Sequence, residues 1–160
     1  MKRTLEAVIL GCAMLLVVPL AHAQRTPEPI VNYENMEILP ASGKAPSLTE
    51  IKAAIERAAN ASRGEAWEIT EVAPGKLVGT LNVQGRHSMR VNIVFSPSAY
   101  SVTYKDSINM NYGRSAETER DPQDPRIIRP LPSNQFVIHP NYNRWVKALV
   151  TNIRFETQKL

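Results

Sequence analysis

Residues 47–160 predict a single α+β domain. Its core is a four-stranded antiparallel meander sheet with an N-terminal and a C-terminal helix packed on one face, in the order α-β-β-β-β-α. Three observations carry this reading. A helical apolar pattern begins at the capping box Ser47-Leu48-Thr49-Glu50. Four short alternating segments follow between residues 66 and 105, with links short enough to demand antiparallel neighbours. A second amphipathic run begins near His139.

The chain before this domain divides in two. Lys2 and Arg3 precede an apolar stretch from Ala7 to Leu20, then Ala21-His22-Ala23 and Gln24. That is the three-part layout of a secretory signal peptide, with residues 1–23 removed after Ala23. The apolar stretch is too short for a stable membrane span, so the mature protein is expected to be periplasmic, soluble and without a transmembrane helix. Ile9-Leu10-Gly11-Cys12 offers a competing lipoprotein site. Leu10 is bulky for such a box and the apolar run continues past Cys12, so lipid anchoring through Cys12 is the weaker alternative. Residues 24–46 carry Pro27, Pro29, Pro40 and Pro46 and read as an extended N-terminal arm. Ile30, Val31 and Tyr33 are its candidate docking side chains.

Within the domain, Leu48, Ile51, Ile55, Ala58 and Ala59 form one helical stripe, and Arg63-Gly64 marks the expected stop. The first strand covers residues 66–72 and contains Trp67 and Ile69. Pro74-Gly75 has the order of a type II turn. The second strand covers residues 77–83, and Gln84-Gly85 closes a hairpin. The third, residues 87–95, alternates Met89, Val91, Ile93 and Phe95 with Ser88, Arg90, Asn92 and Val94. In the fourth, Tyr100, Val102 and Tyr104 alternate with Ser101, Thr103 and Lys105. Such alternation implies one covered and one wet face. Residues 106–138 read as a long loop, with a charged mobile stretch from Glu117 to Arg126 and a polyproline-like Arg129-Pro130-Leu131-Pro132. The last helix starts with Asn141 as its cap or Pro140 as its first residue, and buries Tyr142, Trp145, Val146, Leu149 and Ile153.

Composition excludes several function classes. Taking 23 residues from 160 leaves 137, one domain's worth. The single cysteine is Cys12, so the mature chain has no disulfide, thiol nucleophile or cysteine metal site. Removing Lys2, Arg3 and Glu6 takes the net charge from +4 to +3, a mild basicity that implies at most a weak attraction to anionic envelope surfaces. The basic residues are scattered, and nucleic acid is not an expected partner.

Motifs are few. His87 and His139 have no metal-ligand spacing, and no G-x-S-x-G or phosphate loop exists. Glu65, Glu68 and Glu71 do not pair across one face as a glycosidase needs. No cofactor and no catalytic set is therefore assigned. The wet face offers Arg90 flanked by Asn92 for an anionic or carbohydrate group, with solvated strand residues as the plain alternative. Ser107-Ile108-Asn109-Met110-Asn111-Tyr112 and His139-Pro140-Asn141-Tyr142-Asn143-Arg144-Trp145 are richer. Their asparagines suit turn closure and capping, which would fasten loop and helix to the sheet, or else they line a pocket. The candidate ligand-binding residues are thus Arg90, Asn92, His87, Asn109, Tyr112, His139, Asn141 and Asn143.

An ordered set of residues carries a resemblance: Gly64 with Trp67, Pro74-Gly75, Arg86-His87, then Tyr100-Ser101, Tyr104, Ser107, Asn109 and Tyr112, and finally His139, Asn141-Tyr142-Asn143 and Trp145. Over residues 47–153 the chain resembles a group of short uncharacterised exported proteins and lipoproteins of Gram-negative bacteria. The resemblance implies a periplasmic or envelope setting and transfers no activity. Its lipoprotein members often carry a convincing acylation box, from which this chain departs at Leu10.

The leading expectation is a periplasmic accessory or binding module, not an enzyme, with an envelope protein or small polar ligand as partner. A small hydrolase acting on envelope material through His87 or His139 is the second. A structural subunit docking by its sheet edge or proline-rich loop is the third.

Overall fold

The computed structural model describes residues 25–61, 66–115, 118–120, 123–124, 126, 128–130 and 135–160. The signal-peptide and Cys12 readings, and the helix stop at Gly64, lie outside the described residues. In chain order the elements are β1 (Glu28–Pro29), β2 (Tyr33–Glu37), α1 (Leu48–Asn60), β3 (Glu68–Ala73), β4 (Lys76–Val83), β5 (His87–Phe95) and β6 (Ala99–Ile108). Then follow β7 (Gly113–Arg114), β8 (Thr118–Arg120), β9 (Ile128–Pro130), β10 (Phe136–Ile138) and α2 (Asn141–Gln158).

The class is α+β with antiparallel pairing, but the principal sheet has five strands, not four. Its order is β2-β6-β5-β4-β3. The arm supplies the fifth strand. Tyr33 and Met36 pair with Val102 and Tyr100, placing two half-buried apolar side chains on the covered face. Asn35 sits between them at φ 53°, and this left-handed residue absorbs the register shift. Its amide N–H donates to Ser101 Oγ at 2.9 Å.

The long connection is also more structured than its composition suggests. β6 runs on to Ile108, and β1, β10 and β7 form a small three-stranded antiparallel sheet. β8 pairs with β9, so Arg129 and Pro130 lie in a hairpin strand instead of a polyproline segment. Leu131 and Pro132 lie outside the described residues.

Local chemistry accounts for most element ends. The capping box forms: Ser47 Oγ accepts from the Glu50 amide at 3.2 Å, and Glu50 accepts from the Ser47 amide at 2.8 Å. α1 ends at Asn60 with Ala61 as its C-cap. Gly75 takes φ 74° in the β3–β4 turn, and a Cβ there would stand 2.9 Å from the Phe95 carbonyl oxygen. Only glycine fits on both counts. Gln84 and Gly85 both take positive φ, and the turn closes through Arg86 N–H to Val83 O at 3.1 Å. α2 departs from both expected starts: Pro140 is the N-cap, without a side-chain cap, and Asn141 is the first helical residue.

Both helices cover one face of the sheet. Leu81, Met89, Val91 and Ile93 from the sheet meet Ile51 and Ile55 of α1 and Val146, Leu149 and Ile153 of α2, all fully buried. Each such side chain contributes about 1.5–3 kcal/mol of transfer free energy. Tyr100 ties sheet to helix by donating to Val150 O at 3.2 Å. Arg57 bridges the helices to Glu156 at 2.9 Å. Trp145 departs from the predicted stripe: it is half-buried and packs at the edge of the core. Among the described residues no helix is long and apolar enough to cross a membrane.

Candidate functional site

The structure splits the eight candidate residues between two faces. Arg90 and Asn92 lie on the uncovered face of β5, as the alternation requires. Arg90 is already engaged there. Its Nε and Nη2 donate to the two carboxylate oxygens of Asp106, each at 2.6 Å. A register shift in the β5–β6 pairing sets Asp106 opposite Arg90, displacing Lys105 from its expected place on the ladder. Asp106 raises the guanidinium's pKa through these bonds. Arg90 therefore presents a satisfied fork, not a free anion receptor.

The other six gather at the opposite side, around the start of α2. His87 shares strand parity with Met89 and sits half-buried at the end of β5. Its Nδ1–H donates to Asn109 O at 2.7 Å, and Asn109 Nδ2 donates back to Arg86 O at 2.7 Å. Asn109 and Asn111 take φ 57° and 50°, conformations asparagine tolerates well. His139 follows β10, and its amide N–H donates to Met110 O at 2.8 Å. The His139 ring accepts the Asn141 amide N–H on Nδ1 at 3.1 Å. Burial, with Arg25, His87 and Arg144 nearby, pulls the His139 pKa down, and Glu28 only partly opposes this. His87, His139, Met110, Asn141 and Trp145 enclose a cleft of about 50 Å³.

A larger groove adjoins it. The arm contributes Arg25, Glu28, Val31 and Tyr33, while α2 contributes Asn141, Asn143, Arg144 and Lys147, around about 520 Å³. Asn143 builds this groove more than it lines it. Its Oδ1 accepts from Val31 N–H at 3.1 Å and its Nδ2 donates to Pro29 O at 2.8 Å. Arg25 reaches Asn141 Oδ1 at 3.2 Å. Arg144 lies over the Trp145 ring at 5.9 Å. Among the described residues Arg25, Arg144 and Lys147 have no carboxylate partner.

Tyr112 belongs to neither space. It stacks at 4.9 Å on Tyr104 and at 5.4 Å on Phe136, and Tyr104 meets Tyr142 edge-on at 5.5 Å. This ladder fastens the β6–β7 link to β10. Tyr142 is fully buried, and its hydroxyl has no hydrogen-bond partner among the described residues.

Sequence reasoning missed Arg25, Arg144, Lys147 and Met110. Met110 and Arg144 stood inside the two noted segments without being singled out, and nothing local distinguishes Arg25 or Lys147. Among the described residues no cluster of three or more His, Asp or Glu side chains could hold a metal ion. Among the described residues neither histidine ring is backed by a carboxylate. Comparison of the chain with known protein families, curated proteins and solved structures finds no match.

Proposed function

We propose that this protein is an exported accessory or binding module of the bacterial envelope, not an enzyme, and that it holds an anionic polar ligand between its arm and α2. One observation carries the reading. Arg25, Arg144 and Lys147 converge on one groove of about 520 Å³ from segments more than a hundred residues apart, with Glu28 as the one acid among its lining residues. That size suits a small-molecule site. Unpaired cations against amide walls attract an anion, and arginine recognises phosphate or carboxylate with a planar fork. The hydrolase alternative needs an acid behind a histidine, whereas a backbone carbonyl backs His87 and a backbone amide backs His139. The export half of the proposal rests on the layout of residues 1–23.

Backbone amide NMR during titration with inorganic phosphate tests the site. Saturable shifts are expected in residues 25–33 and 141–147, and they should vanish in the Arg144→Ala/Lys147→Ala double variant. No saturable shift in the parent, or unchanged shifts in the variant, would refute the groove. Intact mass of the exported product tests the address: a chain starting at Gln24 is expected, and an acylated Cys12 overturns a soluble product.

A further inference from the structure

The cleft beside the groove has a polarity that the fold itself sets. A backbone carbonyl only accepts and a backbone amide only donates. Because His87 Nδ1 faces Asn109 O, it must carry the proton, which leaves Nε2 of the neutral ring with a free lone pair. Because His139 Nδ1 faces the Asn141 N–H, the neutral ring must carry its proton on Nε2. Burial and the neighbouring cations favour the neutral form of His139. Neither Nε2 has a hydrogen-bond partner among the described residues. A ring with a free acceptor and a ring with a free donor therefore line the same cleft, with Met110 and Trp145 as its apolar walls.

A hydroxyl held between the two rings would satisfy both, donating to His87 and accepting from His139. A carboxylate or phosphate oxygen would meet a lone pair at His87, and a metal cation would meet an N–H at His139. At about 50 Å³ the cleft has room for one or two water-sized groups, not for a sugar ring. The rest of a ligand must lie outside it, and Asn141 is a wall of both the cleft and the cationic groove. We infer that the two form one bipartite site for an anionic sugar, its charge among Arg25, Arg144 and Lys147 and one hydroxyl between His87 and His139. This rests on the anion-binding reading and adds the ligand class to it.

Calorimetric titration with inorganic phosphate, glucose 6-phosphate and glucose tests the inference, with acetate and glucuronate as the carboxylate arm. Each sugar anion should bind about tenfold tighter than the bare anion. The pair with the larger gain identifies the charged group. His87→Asn and His139→Asn keep an amide atom at the Nδ1 position and remove Nε2. Each should abolish the gain while leaving binding of the bare anion intact. Equal affinities in the parent, or a gain retained in both variants, would overturn the hydroxyl subsite while leaving the groove in place. No binding of any anion would overturn the groove and the bipartite site together. Long-range proton–nitrogen NMR of the parent gives a check that needs no variant. It should show Nδ1–H at His87 and Nε2–H at His139, and the opposite tautomer at either ring would refute the donor–acceptor pair.

Discussion

At the scale of single residues, polar groups differ in how completely the fold satisfies them. Arg90 shows one extreme, with both ends of its fork on Asp106. That was not legible from strand alternation, which placed Arg90 on the right face but could not foresee the register shift that brings Asp106 opposite. Tyr142 shows the other extreme: a hydroxyl at zero exposure with no partner among the described residues. An unsatisfied buried hydroxyl costs about 1–3 kcal/mol, so Tyr142→Phe is expected to raise stability by about 1 kcal/mol. Denaturant unfolding measures this. A loss of 1 kcal/mol or more would mean that the hydroxyl has a partner the structure does not reveal.

At the scale of elements, asparagines do the fastening. Asn32 Oδ1 accepts the Tyr104 amide N–H at 2.9 Å, Asn109 holds the hairpin end, and Asn143 grips the arm through Val31 and Pro29. The fastening role of Asn109 and Asn143 was legible, because a short amide side chain closes turns and meets backbone groups well. Its target was not. The arm reads only as extended, because the partner of its strand lies about 65 residues away. Asn143→Ala is expected to cost about 1–2 kcal/mol and to speed hydrogen exchange at Ile30 and Val31 while β5 stays protected. Unchanged exchange in the arm would show that β1 and β2 hold it without Asn143.

At the scale of the whole molecule, titration couples the site to stability. His139 has a folded pKa below its ordinary 6.5, so the unfolded chain binds its proton first on acidification. Stability should fall as pH drops from 6.5 through the folded value, and His139→Asn should flatten that limb. Arg25, His87 and Arg144 add to the effect, and Glu28 opposes it. Glu156 has a folded pKa lowered by hydrogen bonds from Lys159 and Arg57, so its contribution is present above 4.5 and is lost below it. Burial pushes Tyr100 up to about 12, so stability is also lost as pH rises from 10 through that value. Melting temperature against pH, for parent and His139→Asn, checks the histidine limb. Identical slopes between pH 7 and 5 would remove His139 from the account.

The sequence by itself determined the α+β class, the capping box, the order of the four central strands and the sheet face that is covered. These depend on spacing within one segment, and the 3.6 and 2.0 periods read out burial directly. Tertiary structure alone decided the fifth strand, the pairing of Arg90 with Asp106, and the meeting of Arg25 with Asn141 and of His87 with His139 in shared cavities. Each of these depends on how separate elements pair or pack. Bringing those elements together costs loop closure, and the contacts that result leave no periodic trace in the residues they link.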